Sequence, residues 1–327
     1  MRQAGRYMPE YRALREKYSL LELCREPSLA VQVTLQPVDA IEVDAAILFS
    51  DLLVPFEPMG LAFDFVKGEG PSIERPIRAA ADVDRLRPFE PRESLRHVLE
   101  TIRILRRELE GRVPLIGFGG APFTLAAYAI EGGPSRDYLR TKTFMYSQPR
   151  AWHRLCENFA DVVADYMHAQ IAAGAQAIQI FDSWAGALNG ADYREFVLPH
   201  ARRIFSSLAG AGVPLIHIGV GTAAILTDLA DAGGDVIGVD WRQGLDTAWA
   251  ALGDRAIQGN LDPALLFAPE DRMLAAADDV LRRAGGRPGH IFNLGHGILP
   301  GTPVESVQRL ARFVHERTRR DLASPAG

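Results

Sequence analysis

The sequence predicts a single (β/α)8 barrel, and two observations favour this fold class. Short apolar runs rich in Val, Ile and Leu recur along the 327 residues, and stretches with helical spacing lie between them. Near-continuous apolar runs are typical of parallel strands that helices cover on both faces. The alternation leaves two architectures, an open doubly wound sheet and a closed barrel of eight strands. Because no linker-like segment divides the chain, residues 1–327 are expected to form one barrel domain.

Seven strands of the barrel are visible as apolar runs. An eighth is expected at the start of the chain, where residues 1–3 are interpreted as the end of a first strand truncated at the N-terminus. This interpretation favours the barrel over the open sheet. The seven predicted strands are residues 45–50, 113–120, 175–183, 213–221, 235–241, 256–261 and 290–295.

Amphipathic spacing predicts helices between these runs, and one insertion has a different pattern. The insertion at 61–77 alternates apolar and polar residues around turn glycines, which predicts a hairpin over the barrel mouth. The predicted helices are residues 149–173, 190–211, 222–232, 269–284 and 304–318.

Composition excludes several classes of protein. The formal net charge of −5 argues against a general nucleic-acid binder, because such proteins carry a basic face. Cys24 and Cys156 have neither metal-ligand nor redox spacing and are interpreted as reduced thiols of a cytosolic protein. No apolar run reaches the ~18 residues of a membrane helix, and the start does not resemble a signal peptide. We therefore expect a cytoplasmic protein without a membrane partner.

Motifs for cofactor chemistry are also missing from the sequence. It contains no HExxH, no paired CxxC and no other cluster with metal-ligand spacing. Its only lysines are Lys17, Lys67 and Lys142, and none follows a predicted strand as a Schiff-base lysine would. The sequence thus predicts a reaction without metal or organic cofactor.

Candidate site residues follow the predicted strands, because the C-terminal strand ends of such a barrel form its active-site face. Arg2 and Arg6 follow the first strand, and Asp51, Ser183 and His296 follow later ones. A helix N-cap is the alternative role for the aspartate, although its position favours function. For the histidine, between two glycines, a structural and a catalytic role stay open.

For two further segments, more than one interpretation stays open. In residues 117–133 a glycine-rich turn leads into a helix, but the spacing matches no known phosphate-binding loop, and Tyr128 there could be an ordinary core residue. Near the start, Arg2, Arg6, Arg12 and Arg15 crowd into an acidic protein. They form either a solvated basic end or a site for several negative charges.

Five motifs together carry a family resemblance: MRQAGRYMPEYR, AAILFSDLLVP, GFGGAPFTLAAYAIEGG, IFDSWAG and NLGHGILPGTP. In order and spacing they resemble the uroporphyrinogen decarboxylase family over essentially the whole chain. The resemblance implies a (β/α)8 barrel, usually a homodimer. It also implies an enzyme of haem biosynthesis that removes four acetate carboxyls from uroporphyrinogen III, giving coproporphyrinogen III, without metal or cofactor.

The resemblance also implies roles for single residues. The loop that holds the substrate carboxylates matches Arg2, Gln3, Ala4, Gly5 and Arg6, with Arg15 as a further contact. The aspartate that faces the pyrrole nitrogens matches Asp51. Other polar contacts match Tyr128, Ser183 and His296, and the cleft wall matches Phe181. We predict catalytic roles for Asp51, Arg2, Tyr128 and His296, and both Arg2 and His296 are candidates for the proton donor.

Two rival functions remain. The corrinoid methyltransferases are related barrels that hold zinc through a His-x-Cys, whereas this chain has His217 followed by Ile218 and Gly219, without the cysteine. A tetrapyrrole-binding protein without catalysis is the second rival. The presence of Asp51 and Arg2 argues against it.

Overall fold

A computed structural model describes residues 3–66 and 70–319. Within these ranges seven strands form one parallel sheet in the order β1-β4-β5-β6-β7-β8-β9, and β2 and β3 form an antiparallel hairpin. The strands are β1 Ala46–Ile47, β2 Phe63–Val66, β3 Gly70–Ile73, β4 Leu115–Gly120, β5 Ala177–Asp182, β6 Leu215–Gly219, β7 Val236–Gly238, β8 Ala256–Leu261 and β9 His290–Leu294.

Helices connect these strands and pack against the sheet. The described ranges contain α1 Pro9–Lys17, α2 Leu20–Arg25, α3 Pro27–Ile41, α4 Ala80–Val83, α5 Pro91–Ser94, α6 Arg96–Glu108, α7 Pro122–Glu131, α8 Leu139–Ser147, α9 Pro149–Ala173, α10 Gly190–Phe196, α11 Leu198–Ser207, α12 Leu226–Ala232, α13 Leu245–Leu252, α14 Glu270–Ala284 and α15 Val304–Thr318.

The sheet is curled, as one hydrogen bond across its interior shows. Gln258 Nε2 on β8 donates to Gln179 Oε1 on β5 over 3.2 Å, although three strand spacings separate β5 from β8. In a flat sheet those spacings of about 4.8 Å each would keep the two side chains apart. The contact therefore identifies the concave interior of a barrel and the face of each strand that points into it.

Helices from the two ends of the chain, α3 and α15, contact each other in the helical layer. Gln308 of α15 donates from Nε2 to the Ala40 carbonyl of α3 over 2.8 Å. Residues of the N-terminal segment fill the space beside this contact and form a small core separate from the main one. That core consists of Ala4, Tyr7, Met8, Tyr11, Leu23, Val33 and Ile41.

The seven predicted barrel strands are confirmed, each within its predicted range. The predicted eighth strand falls on residues 1–3, of which only Gln3 is described. The predicted hairpin is confirmed as β2 and β3, although 67–69 lie outside the described residues, and its place over the barrel mouth stays a prediction. It is held by α7, since Ile73 N donates to Gly132 O over 2.9 Å.

The predicted helices are confirmed with two corrections. At 222–232 the helix α12 begins only at Leu226, after a short 3-10 helix at Ala223–Ile225. Residues 190–211 form two helices instead of one, because Pro199 has no amide proton and is accommodated in the first turn of a new helix. Three others, α9, α14 and α15, match their predicted bounds within one residue.

Candidate active site

Asp51 lies in the turn that follows β1. Its Oδ1 accepts a hydrogen bond from Leu53 N at 2.9 Å, and its side chain is half-buried. A carboxylate that caps the amide two residues ahead forms an Asx-type turn, which fixes the direction of the side chain. The N-cap alternative thus describes part of its local geometry, and the carboxylate is held at the C-terminal end of a barrel strand.

Phe181 lies on the interior face of β5, and Ser183 lies in the turn that directly follows this strand. Phe181 follows Gln179 at an interval of two residues, and Gln179 points into the barrel. Phe181 is half-buried and meets Phe118 edge to face, with ring centroids 5.6 Å apart. Phe181 and Ser183 therefore form the β5 side of the barrel mouth.

The segment at residues 3–8 is held in a fixed turn by Arg12 of α1. Ala4 and Gly5 are buried, whereas Arg6 is exposed. Arg12 Nη1 donates to the carbonyls of Arg6 and Tyr7, at 2.9 and 3.0 Å. The loop predicted to hold carboxylates is thus a fixed turn that presents Arg6 outward, and Arg2 lies outside the described residues.

Arg15 belongs to α1 and bonds to the residue that directly follows this helix. Its Nη1 donates to the Tyr18 carbonyl over 2.5 Å, and the side chain is exposed. The charges of Arg15 and Asp51 both act on the buried thiol of Cys24. Burial raises the pKa of Cys24, the negative charge of Asp51 raises it further, and the positive charges of Arg15 and Arg25 oppose the rise. Both predicted site residues therefore lie within electrostatic reach of one thiol.

Tyr128 lies on α7 and packs closely against a tryptophan. Its ring centroid is 3.9 Å from that of Trp184, with the planes tilted by 36°. The centroid of Tyr138 lies 5.1 Å from the same tryptophan. The tryptophan directly follows Ser183, so the aromatic cluster adjoins the C-terminal end of β5. Sequence analysis did not single out Trp184, although its position after a predicted site residue was the available signal.

His296 lies beyond β9, on another part of the rim. Its ring is exposed and meets Trp241 edge to face at a centroid distance of 6.3 Å, and Nδ1 is 3.4 Å from the Gly297 carbonyl. A Cβ at Gly295 would lie 2.6 Å from Trp241 N. The glycine before the histidine therefore permits close packing of two loops.

Asp182 is a buried carboxylic acid on the opposite face of β5, between Phe181 and Ser183. Thr124 Oγ1 donates to its Oδ1 over 3.3 Å, and its Oδ2 lies 4.0 Å from His217 Nε2. Burial raises the pKa of Asp182 to about 7 and lowers the pKa of His217 to about 4. Near neutral pH the two side chains therefore do not form a full ion pair. Asp182 lies on the face of β5 that points away from the barrel interior.

Two kinds of site are absent from the described part of the chain, metal clusters and membrane-spanning helices. Residues 3–66 and 70–319 contain no group of three or more His, Cys, Asp or Glu side chains arranged to hold a metal ion. Cys24 and Cys156 are each buried as free thiols. Among the helices of these ranges, none combines the length and the apolar character needed to cross a membrane.

Known proteins resemble this chain in sequence and in fold. A family model described as uroporphyrinogen decarboxylase (URO-D) matches residues 1–317. The uroporphyrinogen decarboxylase of Sorangium cellulosum (strain So ce56) is 57% identical over 323 residues, which cover 98% of this chain and 92% of the relative. That of Carboxydothermus hydrogenoformans is 56% identical over 317 residues, covering 97% of this chain and 91% of the relative.

The fold is also similar to that of a methyltransferase from Methanosarcina mazei. The TM-score is 0.73, with 22% sequence identity, and the match covers 92% of this chain and 90% of that chain. At this identity the likeness shows a shared fold and carries no statement about chemistry.

Proposed function

The chain belongs to the uroporphyrinogen decarboxylase family, and we propose that it converts uroporphyrinogen III into coproporphyrinogen III by removing four acetate carboxyls. The observation that carries the proposal is the close sequence match to curated decarboxylases along nearly the whole chain. The arrangement of polar and aromatic residues around the barrel mouth supports it.

The substrate can serve as its own electron sink in this reaction. Protonation of a pyrrole carbon makes that ring a cation, so the C–COO⁻ bond of the attached acetate can break with its electron pair moving into the ring. CO2 leaves, the resulting methylene carbon takes up a proton, and the first proton is lost again. Each cycle therefore consumes one proton and turns an acetate into a methyl group plus CO2.

Asp51 is the residue that we propose to stabilise the cationic ring. An ionised carboxylate near the pyrrole N–H groups would interact with them more strongly once the ring is positively charged. Interactions that gain strength in the transition state account for the largest part of many rate enhancements. The hydrogen bond from Leu53 N holds this carboxylate in place before substrate arrives.

The remaining predicted site residues would bind and orient the substrate. Arg6, presented outward by its fixed turn, and Arg15 would bind peripheral carboxylates, because guanidinium groups form charge-assisted hydrogen bonds with them. Phe181, Ser183 and Tyr128 would contact the macrocycle from the β5 side. The proton donor is Arg2 or His296, and a histidine has the better intrinsic pKa for that step.

Incubation of the purified protein with uroporphyrinogen III tests the function directly. After oxidation, the porphyrins are separated by carboxyl number, and we expect the eight-carboxyl species to give way to four carboxyls. Binding without loss of carboxyls would contradict the proposal and favour a tetrapyrrole-binding protein. A zinc assay on the same sample distinguishes the methyltransferase alternative, for which metal at one equivalent would be expected.

We also propose that residues 1–327 act as one catalytic domain, in a homodimer in the cytoplasm. The resemblance to the family supports this proposal. Light scattering across a dilution series measures the assembly, and a constant mass of twice the 35.8 kDa chain is expected. A mass of one chain at working concentrations would exclude the dimer.

A further inference from the structure

Trp184 lies between two tyrosines at the β5 side of the barrel mouth. Its ring centroid is 3.9 Å from that of Tyr128 on α7 and 5.1 Å from that of Tyr138, which directly precedes α8. Both Trp184 and Tyr128 are half-buried. An indole at this place therefore contacts one of the predicted site residues and remains partly accessible.

The backbone of Trp184 is tied to the helix that carries Tyr128. Trp184 N donates to Thr124 Oγ1 over 3.4 Å, and Thr124 lies one helical turn before Tyr128 on α7. The same hydroxyl donates to Asp182 Oδ1 over 3.3 Å. The end of β5 and the helix α7 thus share a buried hydroxyl at their contact.

A second connection holds the other side of the cluster. Lys142 Nζ on α8 donates to the Ala187 carbonyl over 2.6 Å, just beyond Trp184. This bond keeps α8, and with it Tyr138, beside the turn that follows β5. The indole is therefore held from two directions, through α7 and through α8.

We propose that Trp184 is a positioning residue that fixes the ring of Tyr128, and hence its hydroxyl, in the substrate cleft. This inference rests on the proposed decarboxylation and assigns a role that acts through Tyr128. A tyrosine on a helix has a choice of staggered side-chain rotamers, and a ring packed at 3.9 Å occupies the space that alternative positions would need. The closely packed indole selects one of them before substrate binds.

The test is a double-mutant cycle on kcat/KM for uroporphyrinogen III. Trp184→Ala should lower kcat/KM by about 3- to 10-fold, the range expected from one aromatic pair. Trp184→Phe, which keeps a ring, should recover most of this loss. In Tyr128→Phe, where no hydroxyl remains to be positioned, Trp184→Ala should lower kcat/KM by less than about 2-fold. A merely structural role of the tryptophan would not produce this dependence on the hydroxyl.

Two controls separate folding from positioning. Tyr146→Leu removes an exposed aromatic ring of α8 and should leave kcat and KM unchanged. Thermal melting of every variant shows whether it is folded, and if Trp184→Ala is not, the cycle is measured with Trp184→Leu instead, while Trp184→Phe stays the variant that keeps a ring.

The outcomes distinguish this inference from the proposed function. A wild-type protein that leaves uroporphyrinogen III unchanged overturns the function. An active wild type with equal losses from the Trp184 substitution in both backgrounds overturns the positioning role alone, as does an unchanged kcat/KM in Trp184→Ala. Loss only in the background that has the hydroxyl supports it.

Discussion

The side-chain amide of Gln3 pairs with the backbone at Ile47, on the edge of β1 that faces away from β4. Oε1 of Gln3 accepts from Ile47 N at 2.9 Å, while its Nε2 donates to the Ala45 carbonyl over 2.7 Å. One side chain thus supplies the acceptor and the donor that a neighbouring parallel strand would supply. It also places the N-terminal turn beside the strand that leads to Asp51.

Replacing Gln3 should destabilise the protein. We expect Gln3→Leu to lower the free energy of unfolding by about 1–3 kcal/mol, because it deprives two backbone groups of their partner. Urea unfolding measures the effect. Gln32→Leu, at an exposed position of α3, is the matched control and should change stability by less than about 0.5 kcal/mol. Equal stabilities of the two variants would contradict the structural role.

Asp51→Asn should lower turnover more than binding. The amide oxygen can still accept from Leu53 N, so the turn is kept while the negative charge is lost. We expect kcat to fall by about 100-fold or more, with a much smaller change in KM, since the lost interaction strengthens in the transition state. Steady-state kinetics of carboxyl loss measures both constants. An unchanged kcat would remove this residue from the proposed mechanism.

Arg6→Gln should chiefly raise KM. The substitution removes a charged donor that the fixed turn presents outward, and charge-assisted hydrogen bonds contribute enough for an increase of about 10-fold. Arg103→Gln removes the same charge from an exposed ion pair with Glu100 on α6 and should leave KM unaltered. If both variants had the KM of the wild type, the arginine would lie outside the binding site.

Asp182→Asn should stabilise the protein increasingly as pH rises. Because the pKa of the buried acid is raised from 3.8 to about 7, the folded state keeps a proton that the unfolded state has lost, and stability falls with pH across this window. The asparagine has no such loss. Its advantage over the wild type should therefore grow between pH 5 and pH 8, by on the order of 2 kcal/mol.

Urea unfolding of both proteins at the two pH values measures this difference. His217 contributes equally to both proteins, since burial lowers its pKa to about 4 and keeps it neutral over this range. A pH-independent difference between wild type and variant would show that Asp182 ionises normally.

Local patterns were sufficient to predict much of this fold. A strand covered on both faces needs continuous apolar residues, so β4, β5, β6 and β8 are visible in sequence without knowledge of their partners. The predicted helix at 190–211 was wrong in one respect, because Pro199 interrupts it. Asp51, Ser183 and His296 follow strand ends as the sequence indicated, and the rule that polar residues at such ends form the active-site face makes their joint site a prediction.

Local patterns could not predict the contacts between segments that are distant in sequence. Nothing local indicates that Gln3 would fill the edge of β1, or that Thr124 would join Asp182 to α7. Each contact depends on which strands and helices become neighbours, and on the direction in which their side chains point.

The sequence by itself determined the order of the seven sheet strands, the barrel class and the family, because apolar periodicity and short motifs are local properties of the chain. Only the tertiary structure decided that Trp184 packs on Tyr128, that Arg12 fixes the turn presenting Arg6, and that Asp182 is buried with a raised pKa. The physical reason is that packing, burial and electrostatic environment depend on residues brought together from distant parts of the chain by the curl of the sheet.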